Sequence, residues 1–289
     1  MTEPALLPAP GSAGVLTRTD IVRFAGACGD FNPIHHDEPH AVGLGHPGVF
    51  AMGMLTAGML GTYVTSWAPL GEVREFSVRF TAPAWPGEEL RFEASDPEPA
   101  AGGRRWALQA LGDGKPRITG SVRIGGSLPD IAPAVPGGMD AAELLAVPFE
   151  PVLLPVERGK VMEVARAAHA VDPVHLDPAA ARAAGWADLP APLVFTAAAA
   201  HWSKGDASDV PVRLGMDLTR TVHGEHHWRF ARTPVAGDEL TGTRRVTSAV
   251  RKTSRSGASM LIVRFTTEWR DAANEPVLGE DMIAIERGR

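Results

Sequence analysis

The stretch Gly29-Asp30-Phe31-Asn32-Pro33-Ile34-His35, followed by His36 and Asp37, gathers a carboxylate, an amide and an imidazole in a few residues. Pro33 confines Asn32 to extended conformations, so the stretch predicts a rigid loop rather than a continuing helix. Such a loop can aim Asp30 and His35 at one point, and a carboxylate and an imidazole facing one water can move two protons in a reaction cycle. Taken alone, the same residues also describe an Asx-type turn beside a surface histidine.

Other reactive side chains suggest less. Cys28 lies two residues before Asp30, but a small residue buried at a helix end accounts for it better than a nucleophile. His35, His36, Asp37, His40 and His46 form a cluster without a recognised ligand spacing. His223, His226 and His227 fall in a predicted strand, where His226 and His227 face opposite sides and His223 and His227 stand about 13 Å apart. No metal site is expected from either group. Arg244, Arg245, Arg251, Lys252 and Arg255 surround one predicted hairpin. They are either a solvated loop or a landing patch for phosphates.

The elements that must position the loop are legible on both sides of it. Thr17-Arg18-Thr19-Asp20 offers a helix start with a side-chain cap and an acid three residues on. Ile21, Phe24, Ala25 and Cys28 give that helix an apolar face, and Gly29 ends it. A short helical or irregular segment follows through Ala41 to Gly45. A long apolar helix is predicted from Gly53 to about Trp67. Phe76, Val78 and Phe80 then alternate with polar residues as in a half-buried strand. Leu90 and Phe92, the Trp106-Leu108-Ala110 alternation, the Gly112-Asp113-Gly114 turn and the return over Ile118 to Ile124 complete one helix-then-strands unit.

The unit then repeats. Val161, Val164, Ala165 and Ala168 mark a second short helix, followed by His169 to Asp177. At an offset of 140 residues (175 − 35), Pro33, His35, Asp37 and Gly45 match Pro173, His175, Asp177 and Gly185. At 150 (230 − 80), Phe80, Gly87, Glu89 and Leu90 match Phe230, Gly237, Glu239 and Leu240. Two divergent copies explain this. The second copy has Ala170 for Asp30 and Asp172 for Asn32, so it keeps an imidazole without the carboxylate. Its long helix is expected near Phe195 to Ala200, with His201 and Lys204 interrupting it. The division read from the chain is a flexible tail over 1–14, a first unit over 15–127, a Pro/Gly-rich linker over 128–149 and a second unit over 150–289.

Residues 16–60 and 73–92 resemble the MaoC-like dehydratases and R-specific enoyl-CoA hydratases. The resemblance rests on Gly29 to His35 after a short helix, and on Gly53 opening the apolar helix that follows Gly48-Val49-Phe50-Ala51-Met52. It implies an α+β double hotdog fold, two curved antiparallel sheets each wrapped around a central helix. It also implies reversible hydration of 2-enoyl thioesters to (R)-3-hydroxyacyl thioesters of coenzyme A or an acyl carrier protein, without a cofactor. Asp30 and His35 would activate water, Asn32 would orient the loop, and the backbone of Gly53 would bind the thioester carbonyl. Many members carry histidine where this chain has Met52, which leaves Met52 as a substrate contact only. Phe195 and Ala198 would wall the acyl groove of a degenerate second half, and Arg251 and Lys252 would meet the phosphates. The alternatives are a hotdog acyl-CoA thioesterase and a non-catalytic acyl-thioester-binding protein.

Composition bounds the rest. The 289 residues are 44% hydrophobic and 21% charged, as in a globular chain. A formal net charge of −6 argues against a nucleic-acid partner. One cysteine suits a reducing compartment, and no signal peptide is visible, so a cytoplasmic location is expected. Pro47 to Gly71 carries no charge, yet its glycines and Pro69 favour a helix buried in protein over a membrane span. The acyl thioester is the expected partner, and a homodimer is the assembly considered.

Overall fold

A computed structural model describes residues 7–132, 142–203, 212, 214–253, 257 and 259–288. The expected Lys204 and Arg255, and residues 133–141 of the expected linker, lie outside these residues. Strand β1 (Gly11–Val15) leads into helix α1 (Arg18–Cys28). Thr17 caps α1, and Thr17 and Asp20 satisfy each other's backbone N–H groups in a capping box. Gly29 closes the helix at φ 75°, a left-handed conformation that glycine adopts without steric penalty. A 3-10 turn (Pro33–His35) and α2 (Glu38–Gly43) follow, then α3 (Gly53–Thr65), whose buried face includes Leu55, Met59, Leu60 and Val64.

The strands of the first half are β2 (Val73–Phe80), β3 (Glu89–Ala94), β4 (Glu98–Ala100), β5 (Gly103–Gly112) and β6 (Lys115–Ile124). The second half supplies β7 (Val152–Pro155), α4 (Arg158–Ala167), α5 (Pro178–Ala183), β8 (Thr221–Phe230), β9 (Glu239–Thr253), β10 (Ser259–Arg270) and β11 (Pro276–Arg287). All pairings are antiparallel, in the order β1-β3-β5-β6-β2-β8-β11-β10-β9-β7, with β4 beside β5. The order of the second half mirrors that of the first. The two expected sheets are therefore joined edge to edge into one, through β2 and β8. At this seam Phe76 faces Trp228 in register, and their rings stack with centroids 5.4 Å apart. No helix among the described residues is long and apolar enough to cross a membrane.

Two elements differ from the sequence expectation. Gly11–Val15, of which residues 11–14 were expected in the flexible tail, pairs with β3 as an edge strand. The second central helix is not an α-helix. Phe195–Trp202 is a 3-10 helix, with the Phe195 N–H bonded to the Pro192 carbonyl and the Ala197 N–H to the Val194 carbonyl. The tighter turn carries Thr196 onto the buried Glu280, at 2.6 Å.

Trp228 is fully buried, stacks on Phe76 and donates from Nε1 to Thr196 Oγ1. Trp228→Ala should therefore destabilise the fold by roughly 3–5 kcal/mol. Denaturant unfolding should show one cooperative transition at a lower midpoint. Two separated transitions in the unmodified chain would contradict a seam shared by both halves.

Candidate functional site

The loop after α1 is built by local hydrogen bonds. Asn32 Oδ1 accepts from the Ile34 N–H at 3.2 Å and caps the 3-10 turn, while Asp30 Oδ1 receives the Asn32 N–H at 3.4 Å. The Asn32 oxygen thus has a turn-building role. His36 is exposed and donates from Nε2 to the Phe31 carbonyl at 3.1 Å. His35 points inward. Its Nδ1–H donates to the Phe50 carbonyl at 2.8 Å, and its ring meets the Phe50 ring edge-on. A carbonyl can only accept, so Nδ1 carries the proton and neutral His35 presents Nε2 as a base. Burial pushes His35 below the ordinary imidazole value, against the upward pull of the Asp30 carboxylate and the Phe50 hydrogen bond. The site therefore holds an unprotonated imidazole under the influence of Asp30.

Phe50 also lies three residues before α3, so the bond that fixes His35 ties the loop to the helix start. Met52 caps α3 without a side-chain hydrogen bond, and the first intrahelical bonds run from the Leu55 and Thr56 N–H groups to the Met52 carbonyl. The N–H groups of Gly53 and Met54 precede them, at the positive end of the helix dipole. Gly53 is required by packing as well. A β-carbon there would stand 2.8 Å from two ring carbons of Phe80. Met52 itself is buried in the core.

The second half grips α1 from both ends. His169 Nε2 bonds Asp20 Oδ1 at 2.8 Å, and Asp20 belongs to the capping box. At the other end, His201 Nε2–H donates to the Gly26 carbonyl at 3.0 Å, and its ring packs against Gly29. Helix α1 has no basic residue in its own last turn, and the second half provides the donor there.

The degenerate copy reproduces the scaffold of the loop. His175 Nδ1–H donates to the Pro190 carbonyl at 2.8 Å, the counterpart of Phe50 at the same 140-residue offset. Asp172 caps its turn as Asn32 does. His169 takes the left-handed conformation of Gly29, at φ 59°. Ala170 stands where Asp30 does, so the scaffold survives without the carboxylate.

The other residues expected to meet substrate fall in two places. Phe195 and Ala198, read as groove walls, are fully buried in the core. The residue between them with a polar role is Thr196, which reaches Glu280. Arg251 pairs with Glu143 near the end of β9, beside a second apolar cluster built on Leu214, Val263 and Phe265, and Lys252 follows it on the same strand. The cluster around α3 is a different one. Cys28 is buried, and burial pushes its thiol upward, away from nucleophilic use. Among the described residues, no three His, Cys, Asp or Glu side chains gather as a metal site would need. Sequence reading missed Phe50 and the paired grip of His169 and His201, since carbonyl acceptors and contacts between halves leave no mark in local spacing.

The model of the MaoC like domain matches residues 11–105, and that of the FAS1-like, dehydratase domain region matches residues 143–280. A UPF0336 protein of Clavibacter michiganensis is 49% identical over 92 residues, which are 32% of this chain and 61% of that protein, less than two thirds of its length. A UPF0336 protein of Leifsonia xyli is 38% identical over 118 residues, 41% of this chain and 73% of that one. Among solved structures, a MaoC domain protein of Chloroflexus aurantiacus superposes with a TM-score of 0.65 at 15% identity, covering 98% of this chain and 94% of that one. A Mycobacterium tuberculosis protein described as having a double hotdog fold gives 0.62 at 16% identity, over 97% and 96%. At such identities the superpositions speak for the fold. With its first half matching the MaoC like domain, its second half the FAS1-like dehydratase domain region and 73% of the Leifsonia relative covered at 38% identity, the chain follows a double hotdog fold and belongs to the family of these UPF0336 proteins.

Proposed function

We propose that the chain hydrates 2-enoyl thioesters, and in reverse dehydrates (R)-3-hydroxyacyl thioesters, at the Asp30/His35 loop. The observation that carries this reading is the His35–Phe50 hydrogen bond. It leaves Nε2 free to take a proton, beside a carboxylate and within the segment that leads to the donors of α3. In hydration, water held by Asp30 and His35 loses a proton to the pair as its oxygen bonds C3. The electrons of the double bond move toward the thioester carbonyl, whose developing negative charge is met by the Gly53 N–H at the helix start. A proton returned from the pair to C2 completes the addition. Water is thereby divided between C3 and C2, and the pair ends as it began. A donor of this kind typically contributes about 3–4 kcal/mol to lowering the barrier.

The test is incubation with crotonyl-CoA and a longer enoyl-CoA, following loss of the conjugated-thioester absorbance together with free thiol. Absorbance loss without thiol release is expected. Thiol release would indicate a thioesterase, and binding without either change would indicate an acyl-thioester-binding protein.

Asp30→Asn and His35→Ala should each lower kcat/KM by roughly 10²–10⁴-fold, the range of a positioned acid–base group. His175→Ala should leave turnover within about tenfold, because Ala170 stands where the carboxylate of Asp30 accompanies His35. Its effect should appear instead in stability, as about 1–3 kcal/mol for a buried acceptor left unpaired. Equal kinetic losses at His35 and His175 would show that both halves turn over substrate.

The pH profile gives a separate check. His35 works unprotonated, and burial lowers its pKa, so it remains a base on acidification past the ordinary imidazole value. The acidic limb of kcat/KM should fall below pH 6.5, the ordinary value of the group. A limb above that value would exclude a neutral His35 as the base.

A further inference from the structure

The carboxylate of Asp30 is held only weakly by its own loop. Among the described residues it accepts one hydrogen bond, from the Asn32 N–H at 3.4 Å. Its direction therefore follows from the backbone on either side. Downstream, the His35–Phe50 bond anchors the loop within the first half. Upstream, the chain pivots at Gly29, which leaves α1 in the left-handed conformation with its N–H bonded to the Ala25 carbonyl at 2.7 Å. At that pivot the second half intervenes.

His201 stands near the end of the 3-10 helix Phe195–Trp202. Its Nε2–H donates at 3.0 Å to the Gly26 carbonyl, one of the terminal carbonyls that a helix leaves without an internal partner. The same ring covers the pivot. A β-carbon at Gly29 would stand 3.3 Å from both Nδ1 and Cε1 of His201. The helix that carries His201 is fixed in turn by the bond from Thr196 to the buried Glu280. The upstream side of the catalytic loop is thus tied to the core of the second half.

The contact has a mirror image. On α3, the Thr62 hydroxyl donates to the Ala168 carbonyl at 2.8 Å, at the end of α4. Each half hands a donor to the short helix of the other. The loops so braced differ: Thr62 braces the one that carries Ala170, and His201 the one that carries Asp30. The mirror bond is therefore a control built into the fold.

We propose that His201 is a positioning residue, which holds the Asp30 carboxylate beside His35 by pinning Gly26 and covering Gly29. This rests on the Asp30/His35 reading given above. His201 is exposed, so its bond adds little to stability, whereas a shift of about 1 Å in a reacting group can cost about 100-fold in rate.

Kinetics and a titration together test this. His201→Ala should lower kcat for crotonyl-CoA about 10- to 100-fold, with KM changed less than about threefold. His201→Gln keeps a donor and should recover part of the loss. Thr62→Val removes the mirror bond and should leave kcat within about twofold. The second readout, NMR titration of the labelled His35 imidazole, needs no turnover. Burial lowers the His35 pKa, and the Asp30 carboxylate pulls it upward against burial and against His36. Asp30→Asn removes that pull, so His35 should titrate lower there than in the unmodified chain. His201→Ala should fall between the two, and Thr62→Val should match the unmodified chain. An unchanged His35 titration in His201→Ala overturns the proposal, as does a Thr62→Val chain that loses as much as His201→Ala. A His35 that titrates alike with and without the Asp30 carboxylate overturns it too. If the unmodified chain fails to hydrate enoyl-CoA while His201→Ala still displaces the titration, the positioning stands and the reaction alone is overturned.

Discussion

The site depends on one hydrogen bond, from His35 Nδ1–H to the Phe50 carbonyl. It decides which imidazole nitrogen is basic, turns that nitrogen away from the backbone, and couples the loop to the start of α3. Its near-identical counterpart between His175 and Pro190 shows that the bond is first a structural one. The loops of the two halves differ at this point in Asp30 against Ala170 and Asn32 against Asp172.

The second half serves the first in ways that its own loop does not reveal. Its strand β8 completes the sheet beside β2, and His169 and His201 hold the two ends of α1. Helix α1 ends two residues before Asp30, so those contacts bear on where the carboxylate stands. Where the first half has the α-helix α3, the second has Phe195–Trp202 as a 3-10 helix. The space so shaped holds Thr196, Glu280 and His226 rather than an apolar filling.

Much of this is written in local sequence. The capping box at Thr17, the glycine at 29, the Asx cap at Asn32 and the glycine start of α3 each follow from short-range stereochemistry, and each is found where the residues place it. The repeat is legible because both loops keep the same turn residues. Other features depend on partners distant in the chain. Gly11–Val15 has no alternation of its own and becomes a strand only because β3 offers an edge. Phe195 to Trp202 has an apolar, alanine-rich composition that suits an α-helix, yet it forms a 3-10 helix whose Thr196 bonds the distant Glu280. His223 and His226 meet because the register shifts at Gly224, and uniform strand spacing gives no sign of that. Phe195 and Ala198, read by analogy as groove walls, are buried in the core.

The central claim is that Asp30 and His35 add water across a conjugated double bond without cleaving the thioester. The most direct measurement is mass spectrometry of the product formed from crotonyl-CoA in oxygen-18 water. The account predicts an intact thioester with the heavy oxygen on C3, and no labelled product from Asp30→Asn. Heavy oxygen in a free carboxylate, with coenzyme A released, would contradict it.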